Sequence, residues 1–417
     1  MNSTTKPYRW IPSLYVAEGM PMAIITTMSL MMLSDFGLSD AQTTMLVGWL
    51  ALPWMIKPLW SPFIDSVKTK RWWILATQLF MGAGFACVAL LLPTAWWLQG
   101  SLALLFLMAF SSATHDVAAD GMYIIGLNQH DQSLYVGLRN TFYRLGMILC
   151  QGLLVSLAGL LQRSMQVDIA WSIVFLFTGS LLLLLFLWHT RNLPKVEEEP
   201  KHMSLSSFGA DLAETFVVFA KKPHLISALL FMSLFRLPEG QLDMMAKLFL
   251  KADVAKGGLG MGEEMVGLIT GTIGVIGLLL GGIVGGYLVS RDGLKRWVWP
   301  LVLSLSLPDF FYVYLSMTQN SNVWLVGSMV FVEQLGYGLG FTVATLFLVS
   351  FAAGRKSTSV FSICTAVQFI GLKVPGMLSG AISDHLGYVG FFWWVMACCL
   401  VTFVVTALIY RNISSYS

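Results

Sequence analysis

The stretch Phe231–Lys247, FMSLFRLPEGQLDMMAK, decides how the chain is read. It lies in apolar surroundings yet carries Arg236, Glu239, Asp243 and Lys247, at offsets of three, seven and eleven residues from the first. On one helix that spacing makes a single narrow stripe. Each such charge at the centre of a bilayer costs about 2.5–3.5 kcal/mol on the insertion scale. A stripe with both signs is therefore expected to face a partner helix or a water-filled path. Two readings stand. One is an ion-pair lock between helices; the other is a substrate or proton site.

A bilayer is the setting because the chain is 56% hydrophobic and 11% charged, with a mean hydropathy of +0.73. A soluble domain carries about 25% charged residues. The apolar runs are continuous and long, which fits spanning helices rather than an alternating barrel. The expectation is an all-α membrane protein with about twelve transmembrane helices. Met1–Arg9 is polar and the apolar run after it is long, so no cleaved signal peptide is expected. Cys87, Cys150, Cys364, Cys398 and Cys399 lie in apolar segments without metal-ligand spacing. The histidines are scattered, so no metal site is expected.

Between the two apolar halves runs Arg191–Lys222, with Pro194, the acidic Glu197–Glu199 and Pro200. Within it Leu205, Phe208, Leu212, Phe216 and Ala220 recur at helical spacing. An amphipathic helix on the membrane face and a solvated linker helix both fit. The expected division is an N-terminal six-helix bundle over 1–190, a cytoplasmic linker over 191–222, and a C-terminal six-helix bundle over 223–417. Basic residues gather in alternate loops, as at Lys68, Lys70, Arg71, Arg191, Lys195, Arg291, Lys295 and Arg296. The opposite loops hold only Arg163, Lys251 and Lys256. That imbalance predicts cytoplasmic termini.

The intramembrane acids are Glu18, Asp116, Asp120, Glu239, Asp243, Asp309 and Glu333; the bases are Lys57, Arg139, Arg144, Arg236, Lys247 and Lys373. They nearly balance, so some must pair internally. All the acids but Asp309 fall in the first, fourth, seventh and tenth spans. Asp309, beside Pro308, reads as a structural partner. Asp116 and Asp120 stand one turn apart. Either they handle a proton, or they pair with Arg139 or Arg144. Candidate proton carriers are Glu18, Asp116, Asp120 and Glu239. Candidate solute contacts are Lys57, His115, Arg144, Arg236, Asp243, Glu333 and Lys373. His115 alone reads more readily as a hydrogen-bond partner than as a relay.

The halves also echo each other. Glu18-Gly19 answers Glu239-Gly240, and Lys70-Arg71-Trp72 answers Lys295-Arg296-Trp297. Parallel six-span repeats resemble the major facilitator superfamily, whose site lies at the midplane. In that fold the first helix of each three-helix repeat lines the central cavity, which is where most of the acids fall. The turns with Asp65, Lys70 and Arg71, and with Arg291, Lys295 and Arg296, resemble that family's signature turns and imply a gating role. Leu14–Pro21, Leu52–Asp65, Ser111–Ile124, Gly137–Met147 and Leu378–Phe392 resemble the AmpG-type muropeptide permeases, grouped with the acetyl-coenzyme A transporters. The resemblance implies a monomeric inner-membrane carrier in bacteria that imports a small polar solute with protons by alternating access. The proton gradient would supply the energy without a cofactor.

A siderophore or drug carrier remains the alternative among transporters. A membrane acyltransferase lacks a Ser/His/Asp or Cys/His arrangement here. A non-transporting sensor would gain little from so many buried charges. No GxxxxGK[ST] pattern supports ATP-driven transport, and nothing points to nucleic acid.

Overall fold

The computed structural model describes residues 6–127, 129–195, 205–354 and 357–410. Among these residues the regular elements are all helical. The helices α1 (Pro7–Asp35), α2 (40–66), α3 (Lys70–Leu91), α4 (Trp97–Gly126), α5 (129–162) and α6 (Val167–Asn192) form the first half. A linker helix, Leu205–Ala220, follows. The second half holds α7 (Leu225–Lys251), α8 (Glu263–Asp292), α9 (Leu294–Thr318), α10 (Val323–Ala352), α11 (357–386) and α12 (388–410).

Nine of the described helices are long and apolar enough to cross a membrane. The last of them, Val360–Tyr410, is two spans that turn at Gly387, where φ is 65° and a side chain would be strained. The bent α7 adds a span. So does α2, which is broken into Asp40–Leu50, Leu52–Ile56 and Ser61–Ser66. These bring the number to the expected twelve. Trp72, Trp96 and Trp324 stand exposed at helix ends, where indole rings anchor at membrane interfaces.

The chain divides into two compact units. The first holds Met1–Phe36 and Leu50–Ser204; the second holds Gly37–Trp49 and Leu205–Ser417. In the first, α3 packs on α4 and α6, and α1 on α5. Trp10, Leu14, Tyr15, Ile74 and Met122 form its core near the start of α1. In the second, α8 and α9 pack on α10, and α7 on α11. Its aromatic core joins Phe231, Phe235, Phe347 and Phe351.

One element departs from the simple division at the middle of the chain. The first part of α2, Gly37–Trp49, packs with the second unit. The Thr44 hydroxyl donates to the Met377 carbonyl at 3.2 Å, and the Tyr388 hydroxyl to Asp40 at 2.7 Å. The helix breaks that follow in α2 leave this piece free to choose its own partner.

The sequence echo between the halves has a packing cause. A Cβ on Gly19 would come within 2.1 Å of the Tyr143 carbonyl oxygen on α5. A Cβ on Gly240 would come within 2.1 Å of the Leu372 carbonyl oxygen on α11. Each glycine lets two backbones touch where any side chain would hold them apart.

The linker helix bends 103° away from α7, so the two do not continue as one span. Thr215 and Phe219 are buried, while Phe216 and Val217 are exposed. Of the expected stripe, Leu205, Phe208 and Leu212 have side chains outside the described set, as do the linker residues Glu197–Glu199.

Candidate functional site

In the first unit the charged groups meet on α1, α2, α4 and α5. Lys57 Nζ lies 3.8 Å from Asp116 Oδ2, and Trp54 Nε1 donates to the same oxygen at 3.2 Å. Arg139 Nη2 donates to Asp120 Oδ1 at 2.5 Å. The Arg139 guanidinium also stands over Tyr15 and Tyr123, at 4.7 and 5.4 Å from the ring centroids. Glu18 belongs to the same electrostatic cluster, but among the described residues it has no salt bridge and its Oε2 is buried without a hydrogen-bond donor. Three acids thus share two bases. The side chain of Asp120 is 44% exposed although it sits within a spanning helix. An exposed charge within two turns of the end of α4 is solvated by water rather than by lipid.

The Asp120–Arg139 pair is one of the pairings the sequence offered. Arg144 stands apart, with no ion pair to a carboxylate among the described residues. Tyr15, Trp54 and Tyr123 were not singled out from the sequence. Their signal is spacing: Tyr15 precedes Glu18 by one helical turn, and Tyr123 follows Asp120 by one turn.

His115 lies next to Asp116 in sequence but turns into the bundle, fully buried. Its Nε2 is 3.0 Å from Gln78 Nε2, Gln78 Oε1 is 2.9 Å from His189 Nδ1, and His189 Nε2 is 2.9 Å from Ser13 Oγ. If the amide donates to His115, that imidazole carries its proton on Nδ1, and His189 donates to the amide oxygen. This neutral chain ties α1, α3, α4 and α6 together.

In the second unit the stripe of Phe231–Lys247 splits three ways. The helix is interrupted at Arg236, whose φ of −103° and ψ of 23° precede a new helical start with Pro238 in its first turn. That break takes Arg236 off the line expected for one regular helix. Arg236 donates to the Tyr337 hydroxyl and lies over Tyr337 and Phe341, at 5.3 and 4.8 Å from their centroids. Asp243 bridges Lys247 at 2.9 Å and Lys373 of α11 at 3.2 Å. Among the described residues Glu239 makes no salt bridge, and both its carboxyl oxygens are buried without a partner. Among the described residues the stripe therefore forms no lock as a whole; of its four charges, Asp243 is the one that pairs with a base on another helix. Glu333 accepts from Gln334 at 3.1 Å and from Tyr312 at 3.4 Å. Asp309, expected to have a structural partner, meets no base among the described residues; the Cys399 thiol lies 3.5 Å from it.

The expected gating turns are partly described. Arg71 donates to the Thr190 carbonyl, and the Lys70 stem runs along α4 at Gly121. Asp292 takes Arg291 at 3.0 Å, Arg296 at 3.9 Å and the Trp297 indole at 2.9 Å, while Lys295 is exposed. The side chain of Asp65 lies outside the described set. Among the described residues no group of His, Cys, Asp and Glu has the geometry to hold a metal ion.

Residues 13–372 match the family model described as Major Facilitator Superfamily. An anhydromuropeptide permease of Escherichia coli (strain K12) is 24% identical over 416 residues, covering 96% of this chain and 79% of that one. Among solved structures, a point mutant of the nucleoside transporter NupG has a TM-score of 0.74 at 14% identity, covering 96% of this chain and 99% of that one. A D-xylose-proton symporter has a TM-score of 0.72 at 13% identity, with 96% of both chains covered. These proteins are carriers rather than enzymes. With its helical repeats, buried charges and a family match across most of its length, the chain belongs to the major facilitator superfamily and is an integral membrane transporter of small solutes.

Proposed function

We propose that this transporter imports a polar, carboxylate-bearing solute of the muropeptide class together with protons. It works as a monomer in the bacterial cytoplasmic membrane, with both termini in the cytoplasm, and alternates access between the two faces. The observation that carries the reading is the uneven cluster in the first unit. Among the described residues Glu18, Asp116 and Asp120 share only Lys57 and Arg139, and Glu18 is the acid left without a base. One positive charge brought from outside balances it, and a proton is the smallest such charge. In the second unit, Arg236 faces aromatic rings rather than a carboxylate, and two lysines share one aspartate. Cations held by rings or sharing one carboxylate suit a solute with carboxyl groups. The sequence similarity to an anhydromuropeptide permease supports the cargo class.

Uptake of labelled anhydromuropeptide into proteoliposomes under an imposed pH gradient tests this. Wild type accumulates the label, and Glu18→Gln and Asp120→Asn fold but do not. Accumulation by both variants at the wild-type rate refutes the proton assignment. Absence of uptake and of any thermal stabilisation by the muropeptide, with stabilisation by iron chelates or acyl-coenzyme A, refutes the cargo.

A further inference from the structure

The second unit contains a group of acids that the first unit's cluster does not explain. Glu239 on α7, Asp309 on α9 and Glu333 on α10 are 5%, 2% and 4% exposed. They act on one another electrostatically: Asp309 feels both Glu239 and Glu333, and Glu239 feels Glu333. None has a base within salt-bridge distance among the described residues. Glu333 is held by the Tyr312 hydroxyl and the Gln334 amide. Asp309 Oδ2 meets the Cys399 thiol of α12, but Oδ1 has no partner. Glu239, which acts on both, has neither oxygen partnered. The hydroxyl of Ser306, whose carbonyl lies near the same thiol, is also buried and unpartnered.

The first unit supplies an internal comparison. Its neutral chain Ser13–His189–Gln78–His115 joins α1, α3, α4 and α6. The acids with Cys399 sit on α7, α9, α10 and α12, the helices in the same places of the second repeat. Pinning four helices is thus achieved in one unit by neutral groups, where His115 Nδ1 is buried without a partner but no charge is left uncompensated. Three buried acids, two of them with orphaned oxygens, are a poor way to do the same, since an uncompensated buried charge is strongly destabilising. The nearby charged groups do not cure this. Arg236 is engaged by aromatic rings and reaches Glu239 only at longer range. Lys247 and Lys373 are held by Asp243, and of these lysines only Lys247 acts on Glu333.

We infer that Glu239, Asp309 and Glu333 form a second ion-loading site, inside the second unit, that is filled by protons from solution. Oδ1 of Asp309 and the two oxygens of Glu239 are the positions left for them. The thiol of Cys399 and the phenol of Tyr312 hold the remaining oxygens of Asp309 and Glu333. Its place in a transport cycle rests on the proton-coupled reading above; its occupancy does not.

Infrared difference spectra of the full chain in detergent, without cargo, test the occupancy. Wild type at neutral pH is expected to show the carbonyl stretch of protonated carboxyl groups, shifted in heavy water. Glu239→Gln and Asp309→Asn should each remove part of that band, and Glu18→Gln should leave that part intact. The substitutions nearly conserve shape, and a monodisperse chromatographic peak verifies folding. Should Asp309→Asn fail to fold, Glu239→Gln and Glu333→Gln carry the same readout. The inference is overturned if wild type lacks the band, or if the folded variants all retain it in full. It is overturned in favour of a metal cation if sodium in place of choline removes the band at constant pH.

Discussion

Asp243 is the one residue of the opening stretch that joins helices by charge, and the link can be weighed. Asp243→Asn keeps the size and one acceptor oxygen but removes the charge shared by Lys247 and Lys373. Breaking a buried pair costs about 3–5 kcal/mol, whereas an exposed pair contributes about 0–1 kcal/mol. The side chain of Lys373 is only 6% exposed, but that of Asp243 is 46% exposed. Water at Asp243 therefore screens the pair, and the expected loss lies between the limits, at about 2 kcal/mol. Lys373→Met removes the buried cation itself. The double variant leaves Lys247 with no carboxylate but removes the costlier buried charge, so it should melt higher than the sum of the single losses predicts. A double-mutant cycle on thermal or denaturant stability in detergent measures this coupling. Additive losses would refute the argument that Asp243 compensates Lys373. Muropeptide binding separates role from stability. Lys373→Met should weaken it, while Asp243→Asn, which frees two cations, should keep or strengthen it.

Gly19→Ala and Gly240→Ala each place a methyl group against a backbone oxygen, and should cost about 1–3 kcal/mol through overpacking; unchanged melting would mean that the helix pairs part without cost. Gln78→Leu leaves His115 and His189 buried without their shared partner, at about 1–3 kcal/mol for each orphaned group. A lowered melting temperature with normal transport is the expected result, and lost transport in a fully stable protein would assign the chain a functional part. Tyr388→Phe removes the hydrogen bond to Asp40. Amide exchange over residues 40–50 should then quicken, and unchanged exchange would show that packing alone holds this piece of α2.

The bilayer and the span number were legible because composition and run length obey a single constraint, the lack of water in hydrocarbon. The repeat was legible through Glu18-Gly19 and Glu239-Gly240, where the glycines turn out to be contact points between helices. What the sequence hid depends on distance in the chain. Nothing near Thr44 says that Gly37–Trp49 packs on α11. The regular stripe at Phe231–Lys247 assumed a continuous helix, and Pro238 was the sign that it breaks. His115 carried the same residue type as a relay would. Only the distant Gln78 and His189 show that it is a core group.

The two glutamates of the repeat mark where the halves part company. Each precedes a glycine that brings a neighbouring helix into backbone contact, so both carboxyl groups are held at rigid points. Around Glu18 lie acids that have bases, and side chains open to water. Around Glu239 lie acids that have none among the described residues, and almost no exposure. The same frame thus supports one site whose buried glutamate adjoins exposed charges and one whose acids are all buried. A proton on Glu18 has the exposed Asp120 beside it as a way to water, whereas one held among Glu239, Asp309 and Glu333 stays until packing changes. If so, Asp309→Asn should abolish accumulation driven by a pH gradient yet leave exchange of labelled for unlabelled muropeptide across the membrane intact, because exchange needs no net movement of protons. Loss of both activities in a folded protein would instead make Asp309 a part of the frame.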